Sequence, residues 1–255
     1  MNHLSMPKIL IILQARTSSS RLPNKVLKNF WKGKSVLEIL IDELKEFFLD
    51  IPIVVATTIN SADSRIVDLS KSKDVIVYRG SENNVLSRFV DIVDSSDYTH
   101  VIRVCTDNPF LNMSSIKDLI DQLVDLDIDY LSYVNTDGTP VIKTHYGLFA
   151  EIVSTRALII SNKMQNEQIY QEHVTNYIYG NPELFNVKYL QLPKCLDGRN
   201  DIRFTLDDNI DFNNLTQLYK NTFDFKDSIE RLTEYIDINT TYKDFMITNI
   251  KKYTK

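Results

Sequence analysis

Short apolar runs alternate with amphipathic stretches from the start of the chain. Ile9 to Leu13 is β-rich, Val36 to Phe48 spaces its apolar residues as one helix face, and Ile53 to Ala56, Arg65 to Lys71 and Val75 to Tyr78 continue the alternation. This is a βαβαβ rhythm. Ser35 and Glu38 have capping-box spacing, and Leu37, Leu40, Ile41, Leu44 and Phe47 follow on one face, which predicts a helix laid on a sheet. The pattern then predicts a helix over Val85 to Val93, a strand over Val101 to Cys105, a helix over Ser114 to Leu123 and a strand over Tyr130 to Tyr133. Such alternation points to an α/β fold with a mostly parallel sheet.

Beyond about residue 140 the pattern is mixed. It predicts a strand near Leu148 to Val153, helices around Thr155 to Ile160 and Glu172 to Ile178, and strands near Val187 to Leu192 and Ile202 to Leu206. From Phe212 onward the chain reads as helical, with no Gly, Ser or Pro linker setting it apart. The expected organisation is a single domain over 1–255, with 212–255 a helical extension packed on it.

Composition narrows the class without naming a chemistry. With 255 residues, 43% hydrophobic and 25% charged, the chain has enough apolar material for a core without disulfides. A net charge of −5 from interspersed charges gives no footprint for nucleic acid or an anionic membrane. Cys105 and Cys195 lie in no CxxC pair, and the first apolar run is too short for a signal peptide, so a cytoplasmic location is expected.

Ligands on open α/β sheets bind beyond the carboxyl ends of strands. The segment after the first strand, Gln14-Ala15-Arg16-Thr17-Ser18-Ser19-Ser20-Arg21-Leu22-Pro23-Asn24-Lys25, sets three cations in a hydroxyl-rich loop. Backbone N–H groups and hydroxyls there suit a triphosphate, with Arg16, Arg21 and Lys25 neutralising it. A solvated serine-rich turn is the plainer alternative, and the strand immediately upstream favours phosphate binding. Asp107, in Arg103-Val104-Cys105-Thr106-Asp107-Asn108-Pro109-Phe110, follows another strand and suits either Mg²⁺ or a turn. Asp207, in Arg203-Phe204-Thr205-Leu206-Asp207-Asp208-Asn209-Ile210-Asp211, stands at the end of a third predicted strand, while Asp208 and Asp211 suit N-capping. An EF-hand does not fit, because the sixth loop position lacks glycine and the twelfth is Leu218.

Gly33-Lys34-Ser35 resembles the end of a P-loop, but Lys28 stands where the earlier glycine belongs. No GxSxG or HExxH motif occurs, and His3, His100, His145 and His173 are scattered, which excludes the common serine-hydrolase and zinc signatures.

Together these segments resemble the cytidylyltransferases related to CMP-Kdo and CMP-sialic acid synthetases, most closely the SpsF-like branch. The resemblance runs through LQARTSSSRLPNKVL, VVATT, VYRGSENNVLSRF, RVCTDNPF, EHVTNYIY and RFTLDDNIDF. It implies a Rossmann-like nucleotidyltransferase fold of the glycosyltransferase-A type: a mostly parallel mixed sheet flanked by helices, often dimeric. It further implies CTP as co-substrate, contacted by Gln14, Ala15, Arg16, Ser19, Arg21, Lys25, Arg79 and Arg88. Asp107 and Asp207 would hold Mg²⁺, with Arg16, Lys25 and these two aspartates carrying catalysis. Glu151, Glu172 and His173 would face an acidic or phosphorylated acceptor.

The implied reaction is attack by an acceptor oxygen on the α-phosphorus with loss of pyrophosphate, which needs positioning and charge stabilisation but no nucleophilic side chain. Ser18, Asn24 and Thr106 replace glycines usual in the family; Asn tolerates positive φ, whereas Ser and Thr do so poorly. Two alternatives remain open: a glycosyltransferase using Asp127-Ile128-Asp129, and a noncatalytic nucleotide-binding relative.

Overall fold

The structure, a computed structural model, describes residues 6–123, 126–164 and 167–253; His3 therefore lies outside the described residues. Nine strands and ten α-helices are described. The strands are β1 (Ile9–Gln14), β2 (Asn29–Trp31), β3 (Lys34–Ser35), β4 (Ile53–Thr58), β5 (Ile76–Gly80), β6 (His100–Cys105), β7 (Tyr130–Val134), β8 (Glu151–Ser154) and β9 (Val187–Gln191). The helices are α1 (Val36–Phe47), α2 (Ser64–Ser72), α3 (Val85–Val93), α4 (Met113–Gln122), α5 (Thr155–Met164), α6 (Gln168–Glu172), α7 (Asn176–Gly180), α8 (Asn209–Thr222), α9 (Ile229–Ile238) and α10 (Thr240–Tyr253).

Seven strands form one sheet in the order β5-β4-β1-β6-β8-β7-β9. Strands β5, β4, β1 and β6 run parallel, β8 is antiparallel to both neighbours, and β7 and β9 are parallel. The period-two alternation of β1 divides the core. Ile11 and Leu13 face α1 and α4, whereas Leu10 and Ile12 face α3 and α5. The capping box at Ser35 and Glu38 starts α1 as its spacing predicts. The carboxyl ends of β1, β4 and β6 line up: Gln14 is in register with Ala56 and with Cys105, so the loops that follow share one end of the sheet.

The structure refines the sequence expectations at several points. Ile202 to Leu206 joins no strand ladder; its backbone is held by two separate bonds, Phe204 N–H to the His145 carbonyl at 3.0 Å and Leu206 N–H to the Asp107 carbonyl at 2.8 Å. Ile202, Phe204 and Leu206 are buried in the core cluster that also holds Ile11 and Leu13, and Arg203 between them is buried as well. Gly147 permits this approach, because a Cβ there would lie 2.9 Å from the Phe204 carbonyl carbon and the Thr205 nitrogen. The helix expected over Glu172 to Ile178 is divided into α6 and α7, with Thr175 turned toward Glu151 to donate a 2.8 Å hydrogen bond. Finally, Gly33 belongs to a hairpin turn: Lys32 and Gly33, at φ 47° and 81°, connect β2 and β3 in the left-handed conformation that tight hairpins favour. The strand predicted near Leu148 to Val153 begins only at Glu151.

Candidate active site

The loop after β1 is fixed by a buried carboxylate. Asp63, 1% exposed, accepts from the Thr17 N–H at 2.8 Å and from the Thr17 and Thr58 hydroxyls at 2.5 Å each. Burial alone would raise its pKa, but these hydrogen bonds hold it below the usual aspartate value. The Thr17 carbonyl in turn accepts from the N–H groups of Ser19 and Asn24. Of the three positions where glycine is usual, only Asn24 has positive φ, at 59°. Ser18 and Thr106 therefore carry no left-handed strain, and the Thr106 hydroxyl donates to the Gln14 carbonyl at 2.8 Å, tying β6 to β1.

Lys25 joins the two aspartates expected to meet. Its Nζ donates to the Leu206 carbonyl at 2.7 Å and lies 3.4 Å from Asp107 Oδ2 and 3.7 Å from Asp207 Oδ1. Arg21 Nη2 contacts Asp207 Oδ1 at 2.6 Å, while Arg203 holds the other Asp207 oxygen at 2.8 Å and pairs with Asp211. The carboxylates are thus convergent and already neutralised by the loop's own cations. Among the described residues no group of three or more His, Cys, Asp and Glu could hold a metal. Two carboxylates do suit Mg²⁺ arriving with phosphates, since Mg²⁺ takes few protein ligands and completes its shell with phosphate and water.

A participant absent from the sequence reading is Tyr253, at the end of α10. Its ring lies 4.6 Å from the Arg21 guanidinium carbon and 5.0 Å from that of Arg203. The Tyr253 hydroxyl and Lys252 both bond Asp208 Oδ2 at 2.7 Å, while Asp208 caps α8. The last helix thereby closes on the residues flanking Asp207. No local sequence signal indicates this contact.

Arg88 is completely buried on α3; its Nη1 makes a long 3.4 Å bond to the Ala56 carbonyl, and its Nε and Nη2 have no hydrogen-bond partner among the described residues. Burial and the nearby Arg16 charge push its pKa down to about 10. A guanidinium left this way suits an incoming anion. Arg79 is committed differently, donating to the Thr58 and Asn60 carbonyls at 2.9 and 2.8 Å and so bracing the end of β4. Ser19 accepts from the Leu22 N–H within the loop.

Glu151 is 3% exposed and bound by Arg103, the Tyr130 hydroxyl and the Thr175 hydroxyl; Arg103 also reaches Gln14 Oε1 at 3.4 Å. It therefore joins the β1 end, the sheet and the EHVT segment. Glu172 lies 3.6 Å from Arg16, which carries that segment to the loop, whereas His173 is solvent-exposed. Beside Asp107 opens a cavity of about 170 Å³, lined in part by Asn108, Glu151 and Thr205. Asp129 of the Asp-x-Asp alternative is buried and occupied by Ser154, Arg156 and the Asn186 N–H. No helix among the described residues is long and apolar enough to cross a membrane.

A family profile described as Cytidylyltransferase matches residues 10–236. The chain is 37% identical over 237 residues to an uncharacterised protein of Methanocaldococcus jannaschii, covering 93% of each chain. It is 31% identical over 220 residues to the spore coat polysaccharide biosynthesis protein SpsF of Bacillus subtilis, covering 84% of this chain and 88% of that one. Its fold matches a cytidylyltransferase structure from Leptospira borgpetersenii with a TM-score of 0.78 at 24% identity, covering 92% of this chain and 96% of the other. With a matching profile over most of its length and a cation loop facing paired carboxylates, the chain belongs to the cytidylyltransferase family.

Proposed function

We propose that this protein transfers CMP from CTP to an acidic or phosphorylated sugar-like acceptor and releases pyrophosphate, in the service of surface-glycan synthesis. The observation that carries this reading is Lys25, placed between Asp107 and Asp207 on the loop that also bears Arg16 and Arg21. Arg16, Arg21, Lys25 and the unpaired Arg88 are assigned to the triphosphate, with Gln14, Ala15 and Ser19 shaping the nucleotide seat. Asp107 and Asp207 are assigned to Mg²⁺, which when bound would offset charge on the phosphoryl oxygens. For the carboxylates to take a cation, Arg21 and Lys25 must turn to phosphate, and a triphosphate supplies the anions that allow this exchange.

The acceptor hydroxyl gives its proton to Glu172, His173 or water as its oxygen bonds the α-phosphorus, while the bond from that phosphorus to the bridging oxygen breaks and pyrophosphate carries away the electron pair. The residues act by alignment and electrostatics. Glu151, Glu172 and His173 are assigned to the acceptor side. Action as a cytoplasmic homodimer is part of this reading and rests on the family resemblance. The occupied, buried Asp129 disfavours the glycosyltransferase alternative, and the relaxed Ser18 and Thr106 disfavour a decayed site.

The test is pyrophosphate release from CTP and Mg²⁺ with a panel of sugar acids and sugar phosphates. Asp107→Ala is expected to lower turnover at least about a hundredfold, and chelation of Mg²⁺ to abolish it. Unchanged turnover in Asp107→Ala would remove the metal assignment.

A further inference from the structure

A second cavity, of about 530 Å³, opens beside Arg199 and Tyr253. It lies between the loop from Asn135 to Tyr146, the turn from Gly198 to Asn200, and α10, which contributes Ile250 and Tyr253. Thr144 lines both this space and the smaller cavity beside Asp107, so the two adjoin. Side-chain contacts also tie it to the carboxylate wall, since His145 accepts from Arg203 at 2.7 Å and Arg203 holds Asp207 at 2.8 Å. A molecule whose reacting end lies beside Asp107 and Glu151 therefore meets this second space across Thr144. Helix α10 lies beyond residues 10–236, the stretch that the family profile matches, so the wall it builds is not part of the fold that the profile describes.

The walls of this cavity are fixed by the protein itself. The Asn135 side chain accepts from the Gly198 N–H at 3.2 Å, Asp197 accepts from the Thr136 N–H at 2.8 Å, and the Tyr146 hydroxyl reaches the Leu196 and Arg199 carbonyls at 2.8 and 2.7 Å. Arg199 is clamped in turn by Asp201 and Asp237, at 2.6 and 2.8 Å. Preformed concavities of this size are the usual seats of small molecules. Several polar groups on the walls stay uncommitted. A guanidinium can only donate, so His145 Nδ1 is the acceptor in its bond with Arg203 and the imidazole proton sits on Nε2, which no described residue engages. Asp137 accepts from the Thr139 N–H with one carboxylate oxygen, at 2.8 Å, and keeps the other. The Asn200 amide has no side-chain partner among the described residues. Donors and acceptors thus stand side by side, backed by Ile250 and the Tyr253 ring. A run of hydroxyl groups on a carbon skeleton matches such a lining, because each hydroxyl both gives and accepts hydrogen bonds while the C–H groups meet the apolar backing.

Resting on the nucleotidyl-transfer reading, we propose that this cavity is a subsite for the remote, hydroxyl-bearing portion of the acceptor. The acceptor is then an extended polyhydroxylated molecule, with its reacting end beside Asp107 and its far end against α10. Asp137, His145 and Asn200 hold its hydroxyl groups, and Ile250 sets the length that fits.

The experiment uses the full chain with Mg²⁺ and α,β-methylene-CTP, which occupies the nucleotide seat without transfer. Two pairs of probes differ in length: glycerol 3-phosphate against sorbitol 6-phosphate, and pyruvate against 2-keto-3-deoxy-manno-octonic acid. Saturation-transfer NMR reads the dissociation constant of each probe and which of its protons touch the protein. In at least one pair the longer member should bind at least about tenfold more tightly, the scale of two or three added hydrogen bonds, with saturation strongest at the end remote from its phosphate or carboxylate. Asn200→Ala should weaken that longer member about fivefold, and Ile250→Trp, which fills the space, about tenfold. Asn200 is exposed, so its substitution tests the subsite even where the tryptophan disturbs folding. No binding of either longer probe, no preference for length in either pair, or a preference that both variants retain overturns the inference. The rise in thermal midpoint given by CTP reports the nucleotide seat separately: it persists when only the subsite fails, and its absence strikes the nucleotidyl-transfer reading itself.

Discussion

The two walls of the cleft are built on different principles. The cation wall is a loop whose backbone is fixed from beneath by one buried carboxylate, Asp63, which leaves its long basic side chains free to change partners. The carboxylate wall is assembled from distant pieces: Asp107 at the end of β6, and Asp207 on an extended segment held by Gly147, Arg203 and the final helix. One wall is rigid in backbone with exchangeable charges; the other is held by side-chain ion pairs along a long stretch of chain. This division predicts that substitutions on the two sides, and beneath them, will fail in distinguishable ways.

The largest effect is expected where the walls touch. Lys25→Ala removes the ammonium shared by Asp107 and Asp207 and the one assigned to phosphate charge in the transition state. Pyrophosphate release should fall by about two to three orders of magnitude, the scale seen when a preorganised charge-stabilising donor is removed. The thermal midpoint should move much less, because the loop backbone is held by Asp63 rather than by Lys25. A fall in activity that merely tracks a loss of folded protein would show that Lys25 supports the fold instead of the chemistry.

The same division explains what the sequence disclosed. Strand β1, helix α3 and the placement of Arg16, Arg21, Lys25 and Asp107 were legible because each depends on local periodicity or on the rule that ligands gather at strand ends. Asp207 follows a segment whose pattern is only partly that of a strand. Ile202, Phe204 and Leu206 alternate as a strand would, but they are buried in the core without joining the sheet, a distinction that no period of two can express. Asp63 has no local signal of this role: an acidic residue just ahead of a helix has the pattern of a cap, and its bonds to Thr17 arise only once the chain has folded back. Tyr253 was invisible for the same reason in stronger form, since its partner Arg21 stands near the opposite end of the chain.

A second, intermediate effect should appear at Asp63. Asp63→Asn removes the charge from a buried acceptor of three hydrogen bonds and should destabilise the fold by about 2–3 kcal/mol, read from chemical denaturation. The sign of the pH dependence follows from the lowered pKa. The contribution is fully present above the unfolded value of about 3.9 and disappears as pH falls through the lower folded value. The stability difference between parent and Asp63→Asn should therefore narrow as pH falls below about 4. A difference that stays constant through that range would mean that Asp63 acts through shape alone.

The smallest effect isolates the seat of Arg21. Tyr253 offers its ring to Arg21 and Arg203 and its hydroxyl to Asp208, so two substitutions separate the contributions. Tyr253→Phe keeps the ring and should leave the CTP KM within about twofold. Tyr253→Ala removes the ring and should raise that KM about three- to fivefold at nearly constant kcat, matching the about 0.5–1 kcal/mol of an exposed cation–π contact. Because Arg21 must leave Asp207 before a cation can take its place, the ring gives the guanidinium a perch that does not depend on the carboxylate. If the Phe variant is impaired as severely as the Ala variant, the hydroxyl's hold on Asp208 is what matters, and α10 serves to anchor the carboxylate wall rather than to present the arginine.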